Sequence, residues 1–69
     1  MPVEISYLEY WPGRRDVKVG KFTFITKLEE DYTDEDLEKA VFRQLGHHDF
    51  DILSHKEVHH EIYDANERR

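Results

Sequence analysis

The fold of this chain is decided by residues 32–46, which read YTDEDLEKAVFRQLG. Apolar residues recur there at the i, i+3, i+4 and i+8 spacing of one helix face, namely Leu37, Ala40, Val41 and Leu45. Thr33 is a favourable N-cap residue, and Asp36 stands where a capping box places its acidic partner. Gly46 is suited to end the helix, because glycine tolerates a left-handed conformation. The stretch therefore predicts one amphipathic helix.

The residues before this helix predict a β-hairpin over residues 3–28. The first strand places four large residues on one parity: Val3, Ile5, Tyr7 and Trp11. Residues 12–16 predict the turn, since proline donates no ladder hydrogen bond and glycine tolerates positive φ. Residues 17–28 are rich in β-branched and aromatic side chains and predict the second strand. Gly20 lies inside that strand and predicts a β-bulge.

The residues after the helix predict a third strand over residues 49–53, with Phe50 and Ile52 facing inward. Two interpretations compete from Ser54 onward. Alternating Val58, His60 and Ile62 favour a strand, which either continues the third one or pairs with it as a fourth. The Ser54-x-x-Glu57 pattern instead favours a helix start. The β-forming residues make the strand the preferred prediction, and residues 65–69 are expected to form a frayed tail.

These elements define an α+β domain in ββαβ order, with one helix packed on one face of an antiparallel three-stranded sheet. The 69 residues make one domain with a thin core, which excludes a two-domain enzyme or a dinucleotide-binding fold. The absence of cysteine excludes disulfides and thiol catalysis. No apolar run approaches the roughly 20 residues of a membrane span, and no signal-peptide pattern precedes the domain. We expect a cytoplasmic protein.

The charge of the chain is concentrated in one segment. Sixteen acidic and ten basic residues give a net charge of −6. Residues 1–27 hold three acids and five bases, whereas residues 28–38 hold seven acids and no base. Helix capping and the helix dipole favour two or three acids near a helix start, and solvation accounts for further ones. A denser cluster of carboxylates adds self-repulsion that capping does not require, and its one-signed field attracts basic groups. It therefore also indicates a docking surface for a basic partner.

The functional prediction is a non-catalytic binding protein that blocks the nucleic-acid-binding surface of a partner by imitating nucleic acid. The residues predicted to contact that partner are Glu29, Glu30, Asp31, Asp34, Glu35 and Glu38. Direct binding of DNA or RNA is not expected, because the N-terminal bases alternate with acids and form no continuous basic stripe.

In overall character the chain resembles the small acidic host-takeover proteins of bacteriophages. The resemblance lies in short length, absence of cysteine, the ββαβ pattern and the acidic stretch of residues 29–36, which leads into the helix. It implies a partner within the host machinery, such as a nucleoid protein or RNA polymerase. No motif aligns, so no site residue is carried over from that class.

A second hypothesis is a structural or regulatory interaction module, including a homodimer, that uses the aromatic hairpin and the open sheet face. Tyr10 and Trp11 lie beside the predicted turn, where exposure is expected, and both residue types are favoured at interfaces. Phe42 lies at the margin of the helix's apolar stripe and completes this secondary partner surface.

Catalysis and metal binding have little support in the sequence. Five histidines are present: His47, His48, His55, His59 and His60. His55 and His59 have the spacing of a helical metal pair, but Glu57 does not occupy the metalloprotease position, and on a strand the two lie too far apart for one ion. A His-rich metal-binding domain is therefore only a minor alternative. Ser6 and Ser54 lack a nucleophile context, so we predict no enzyme, no cofactor and no metal site.

Overall fold

A computed structural model of the chain describes residues 1–58. Its elements in chain order are β1 (Pro2–Trp11), β2 (Arg14–Lys27), α1 (Asp34–Leu45) and β3 (Phe50–Glu57). β1 is the central strand, and β2 and β3 pair with it in antiparallel fashion on either side. Over these residues, the predicted α+β class, with a three-stranded antiparallel sheet and one helix, is confirmed.

The core lies between α1 and one face of the sheet. β1 contributes alternate residues to it, because successive side chains of a strand point to opposite faces. The buried residues are Val3, Ile5, Tyr7, Leu37, Val41 and Phe50. Ala40, Leu45 and Ile52 are half-buried against them, so the predicted helix stripe and the predicted inward face of β3 are both confirmed.

Both predicted ends of α1 are confirmed. The Thr33 hydroxyl oxygen accepts a hydrogen bond from the Asp36 backbone N–H at 3.4 Å, and an Asp36 carboxylate oxygen accepts one from the Thr33 N–H at 3.0 Å. This is a reciprocal capping box. At the other end, Gly46 has φ 82° and its N–H donates to the Phe42 carbonyl. Only glycine adopts that conformation without strain.

The β-hairpin is confirmed, with a shorter turn than predicted. Arg14 already pairs with Trp11, so the turn consists of the two residues 12–13 and does not extend to residue 16. The register then shifts near the tip, where Glu9 pairs with Gly20 and Tyr10 pairs with Lys18. One residue of β2 is therefore left over beside Gly20, as the bulge prediction required.

β3 extends past residue 53, in agreement with the preferred prediction of a strand from Ser54 onward. It does not end at Leu53 but continues to Glu57, which pairs with Val3. Residues 54–57 are thus part of a strand, because pairing with β1 provides more backbone hydrogen bonds than an isolated helix start. Residues 59–64, the rest of the segment predicted to continue the third strand or to form a fourth, lie outside the described residues, as does the predicted tail at residues 65–69.

The hairpin extends beyond the rest of the sheet. β3 pairs with β1 only from Val3 to Glu9, so residues 10–18 form a two-stranded tip. Trp11 shares the parity of the core residues but is 59% exposed, because neither β3 nor α1 reaches this far.

Among residues 1–58, no helix has the length and apolar character needed to span a membrane.

Candidate functional site

The predicted partner residues lie at the end of the sheet where β1 begins. We call Glu29, Glu30, Asp31, Asp34, Glu35 and Glu38 the acidic patch. All six side chains are exposed. The loop that carries the first three is attached to the sheet by two hydrogen bonds, from the Leu28 N–H to the Met1 carbonyl at 2.9 Å and from the Met1 amine to the Leu28 carbonyl at 2.6 Å.

Within the described residues, the acidic patch contains one ion pair. Glu35 lies 3.8 Å from Lys39 one turn along α1, and both side chains are largely exposed. The other five patch acids have no salt bridge to any residue in the range 1–58. The seventh acid of the segment, Asp36, is half-buried and belongs to the capping box. The structure therefore separates one structural acid from six exposed ones.

The helix start stabilises only part of this charge. Asp34 and Glu35 lie in the first turn of α1, where the positive end of the helix dipole favours carboxylates. The effect falls off within one turn, so the loop residues Glu29 and Glu30 gain little from it. Their charge is exposed to solvent and contributes to a one-signed field at this end of the molecule.

Both arginines of the hairpin tip are paired with acids. Arg14 makes two contacts with Asp16, at 3.1 and 3.0 Å, and this arginine lowers the pKa of the Asp16 carboxyl. Arg15 donates to Asp51 of β3 at 2.7 Å and lies over the ring of Tyr10. The guanidinium groups of the tip are therefore already in contact with carboxylates.

Asp51 is the centre of the contacts that join the tip to β3. The Tyr10 hydroxyl donates a hydrogen bond to Asp51 at 2.7 Å. Asp49, which precedes β3, adds a second contact with the tip by accepting a hydrogen bond from the Gly13 N–H at 2.7 Å. The hydrogen bond from Tyr10, followed by the charge and hydrogen bond of Arg15, lowers the pKa of Asp51. The same hydrogen bond raises the pKa of the Tyr10 hydroxyl.

The three residues of the predicted secondary surface lie apart in the sheet and helix. Tyr10 and Trp11 are consecutive in β1, so their side chains point to opposite faces of the hairpin. Phe42 is on α1 and stacks on His48 with ring centroids 4.3 Å apart. They do not form one continuous aromatic surface, and of the three Trp11 is the most exposed.

The open face of the sheet carries paired polar groups beside the exposed side chain of Ile25. Ser6 and Thr23 share a hydrogen bond of 2.9 Å across β1 and β2, and Lys56 lies 3.6 Å from Glu4 across β1 and β3. Pairs of this kind are typical of a sheet face in contact with water.

The described histidines have separate structural partners. His47 bridges the end of α1 to β1: its Nε2 lies 2.9 Å from Glu9, while its Nδ1 accepts the Asp49 N–H at 3.0 Å. His55 bonds to the Tyr32 hydroxyl through Nδ1 at 2.8 Å. Among residues 1–58, no group of three or more histidine, aspartate or glutamate side chains is arranged to hold a metal ion. His59 and His60 lie outside the described residues.

A groove between α1 and β3 adjoins the acidic patch and was not predicted from the sequence. Its volume is about 480 Å³. Asp34 and Glu38 line it from the helix, and Leu53 lines it from β3. The spacing of Asp34 and Glu38 by four residues was a usable signal that both acids share one helix side. The exposure of Leu53 depends on a register shift, for which the sequence holds no signal.

Comparisons with protein-family models, with curated proteins and with solved structures found no match to this chain.

Proposed function

We propose that this chain is a non-catalytic binding protein whose acidic patch docks on a basic, nucleic-acid-binding surface of a partner and blocks it. One observation carries the proposal: six carboxylates are exposed at one end of the domain, and among the described residues only Glu35 has an ion-pair partner. The partner class includes nucleoid proteins and RNA polymerase, and the encounter takes place in the cytoplasm.

The physical basis is competition for a surface that evolved to hold phosphates. Double-stranded DNA presents about one negative charge per 1.7 Å of its axis, and proteins bind it through clusters of lysine and arginine. A dense group of carboxylates on a folded domain attracts the same clusters and speeds the encounter. Because the arginines of the hairpin tip are paired with acids, they offer little to a nucleic acid directly.

The test begins with affinity capture of a partner from a bacterial lysate, followed by titration of the purified pair. Raising salt from about 50 to 200 mM is expected to weaken the complex at least tenfold, because a charge-driven contact is screened. Double-stranded DNA should compete with the protein for the partner. An affinity that does not change over this salt range would contradict charge mimicry.

A matched pair of variants distinguishes the contribution of the acidic patch to binding from the contribution of net charge. The triple variant E29Q/E30Q/D31N and the triple variant E61Q/D64N/E67Q each remove three acids from the chain. We expect the first to weaken partner binding at least tenfold and the second to weaken it less than threefold. Equal losses would mean that total charge, and not the patch, determines binding. Replacing all six patch residues by Asn or Gln should abolish binding and leave the circular dichroism spectrum unchanged.

The second candidate function, an interaction module or homodimer, is favoured by the exposure of Trp11 at the hairpin tip. Exposed tryptophan is a frequent interface anchor. This alternative predicts a complex or dimer that survives high salt, persists in E29Q/E30Q/D31N and dissociates in Trp11→Ala. Sedimentation of the three proteins at low and high salt distinguishes it from the charge-driven complex.

A further inference from the structure

The groove between α1 and β3 combines an apolar floor with an acidic rim. Leu37 and Phe50 form part of the floor and are buried, and Ile52 beside them is half-buried. Asp34 and Glu38, two members of the acidic patch, stand on the rim. The groove is therefore continuous with the surface to which the proposed function assigns partner binding.

A register shift in β3 places an additional apolar side chain in this groove. Tyr7 of β1 pairs with Ile52, and Ser6 pairs with Ser54, so Leu53 between them has no partner on β1. Such an extra residue defines a β-bulge, which bends the strand and re-aims a side chain. Leu53 is 49% exposed although the core lies next to it. A ligand that covered this side chain would gain the free energy of removing apolar surface from water.

The charge of the rim defines what can enter the groove. Asp34 and Glu38 lie one helical turn apart on the same side of α1, and no salt bridge within residues 1–58 neutralises either of them. An acidic segment would be repelled by these two carboxylates. A segment in which lysine or arginine flanks one large apolar residue matches both the rim and the floor. A volume of about 480 Å³ is in the range of sites that hold small organic groups, so one such side chain fits.

We infer that this groove receives an apolar side chain of a cationic segment of the partner, while the acidic patch binds the basic residues on either side of that side chain. The inference rests on the proposed function. It gives the acidic patch and the groove different roles in binding one partner. The exposed carboxylates of the patch accelerate association and make it depend on salt. The groove slows dissociation and selects cationic segments that contain an apolar residue.

Two synthetic peptides serve as probes for this division. The first has four lysines, one leucine and four lysines, and the second has glycine in place of the leucine. Each is titrated into the full chain and followed by calorimetry and by amide NMR shifts. We expect the leucine peptide to bind about tenfold more tightly than the glycine peptide, the effect of burying one aliphatic side chain. Its additional shifts should lie at Leu53, His48 and His55, which line the groove.

Two matched variants test whether the tighter binding of the leucine peptide depends on Leu53. Leu53→Ser should remove the tenfold preference for the leucine peptide, whereas Ile25→Ser should preserve it. Ile25 is 47% exposed on β2 and is therefore the appropriate control for an exposed aliphatic residue elsewhere on the sheet. The NMR shifts of the unaltered chain locate the peptide independently of any variant, so a folding defect in Leu53→Ser would not obscure the result.

The outcomes separate this inference from the proposed function. A leucine preference that persists in Leu53→Ser overturns the groove assignment, and the proposed function stands if E29Q/E30Q/D31N still weakens both peptides. If that triple variant leaves the affinities for both peptides unchanged, the proposed charge-driven function is wrong, whether or not the groove binds the leucine side chain. Self-association of the peptide-free chain that is lost in Leu53→Ser would show that a second copy fills the groove, and it would overturn the inference.

Discussion

The two ends of the sheet carry charge in different ways. At the hairpin tip and the adjoining start of β3, Arg14 is paired with Asp16 and Arg15 with Asp51. The second pair joins β2 to β3 across the end of β1, whereas the first lies within β2. At the opposite end, residues 29–38 are acidic, and only two of their carboxylates have a partner within the described residues.

The difference shows that the net charge of a sequence segment is a poor guide to the charge of a surface. The N-terminal segment is basic when it is counted along the chain, but the fold brings Asp51 of β3, and Asp49 just before that strand, to Arg15. The acidic segment receives no comparable set of bases within residues 1–58. Paired charges are expected to affect stability and its pH dependence, whereas exposed unpaired charges are expected to affect binding.

Removal of core volume between the two ends is the change with the largest expected effect. Ile5 is fully buried in the central strand, so Ile5→Ala should lower the free energy of unfolding by about 3 kcal/mol. Ile25 is exposed on β2, and Ile25→Ala should change it by less than about 0.5 kcal/mol. Urea unfolding of both variants measures this. Equal losses would mean that the open sheet face is also a packed surface.

The next largest effect should come from the cap of α1. Thr33→Ala removes the hydroxyl that accepts the Asp36 N–H and should cost about 1 kcal/mol. Thr33→Ser retains that hydroxyl and should recover most of the loss. In the adjoining loop, Glu30→Ala should have little effect on thermal or urea unfolding, because its side chain is exposed and has no ion pair within residues 1–58. A destabilised Glu30→Ala would show that the patch has a structural role.

Local features of the fold could be predicted from the sequence, because the residues that decide them are neighbours. Thr33, Asp36 and Gly46 set the helix ends within a few residues, and the alternation of Val3 and Ile5 identified the buried face of β1. The extent of β3 could be predicted only as the preferred of two alternatives. Residues 54–57 are compatible with a helix start or with a strand, and pairing with β1, about fifty residues earlier, decides between them.

The candidate site likewise has one part that the sequence predicts and one part that depends on tertiary contacts. The exposure of the acidic patch follows from its composition alone, so the sequence identified these residues as candidates. The groove depends on where α1 crosses β3 and on the register shift at Leu53, both of which are tertiary features. The contact of Arg15 with Asp51 joins residues 36 positions apart and could not be predicted for the same reason.

A smaller effect, with a definite pH dependence, is expected at the paired end. The Tyr10 hydroxyl and Arg15 lower the pKa of Asp51 in the folded state below the ordinary value of 3.8. The ionised form is therefore stabilised by folding. This contribution is fully present above about pH 4, and it is lost as the pH falls through the lowered pKa of the folded state.

Asp51→Asn tests this linkage by comparison with the unaltered chain. The variant should be less stable at pH 7, and the difference should shrink as the pH falls below about 4. Unfolding in urea at a series of pH values measures it. Tyr10→Phe removes the principal cause of the shift, so the Asp51 carboxyl, followed by NMR, should titrate at a higher pH in that variant. A difference between Asp51→Asn and the unaltered chain that stays constant down to pH 2 would contradict the assignment.

The smallest effect, and the one that sharpens the comparison most, is expected within the acidic patch. Asp34 and Glu38 are like charges at i, i+4 on α1, an arrangement that destabilises a helix by a few tenths of a kcal/mol. Glu38→Gln should therefore raise the free energy of unfolding by about 0.3 kcal/mol at low salt, and the gain should fade near 1 M salt. Glu35→Gln removes the contact with Lys39 and should change stability in the opposite direction. If Glu38→Gln both stabilises the fold and weakens partner binding, the glutamate at this position serves binding alone. Destabilisation by Glu38→Gln would show instead that both ends of the sheet use their charges to hold the fold together.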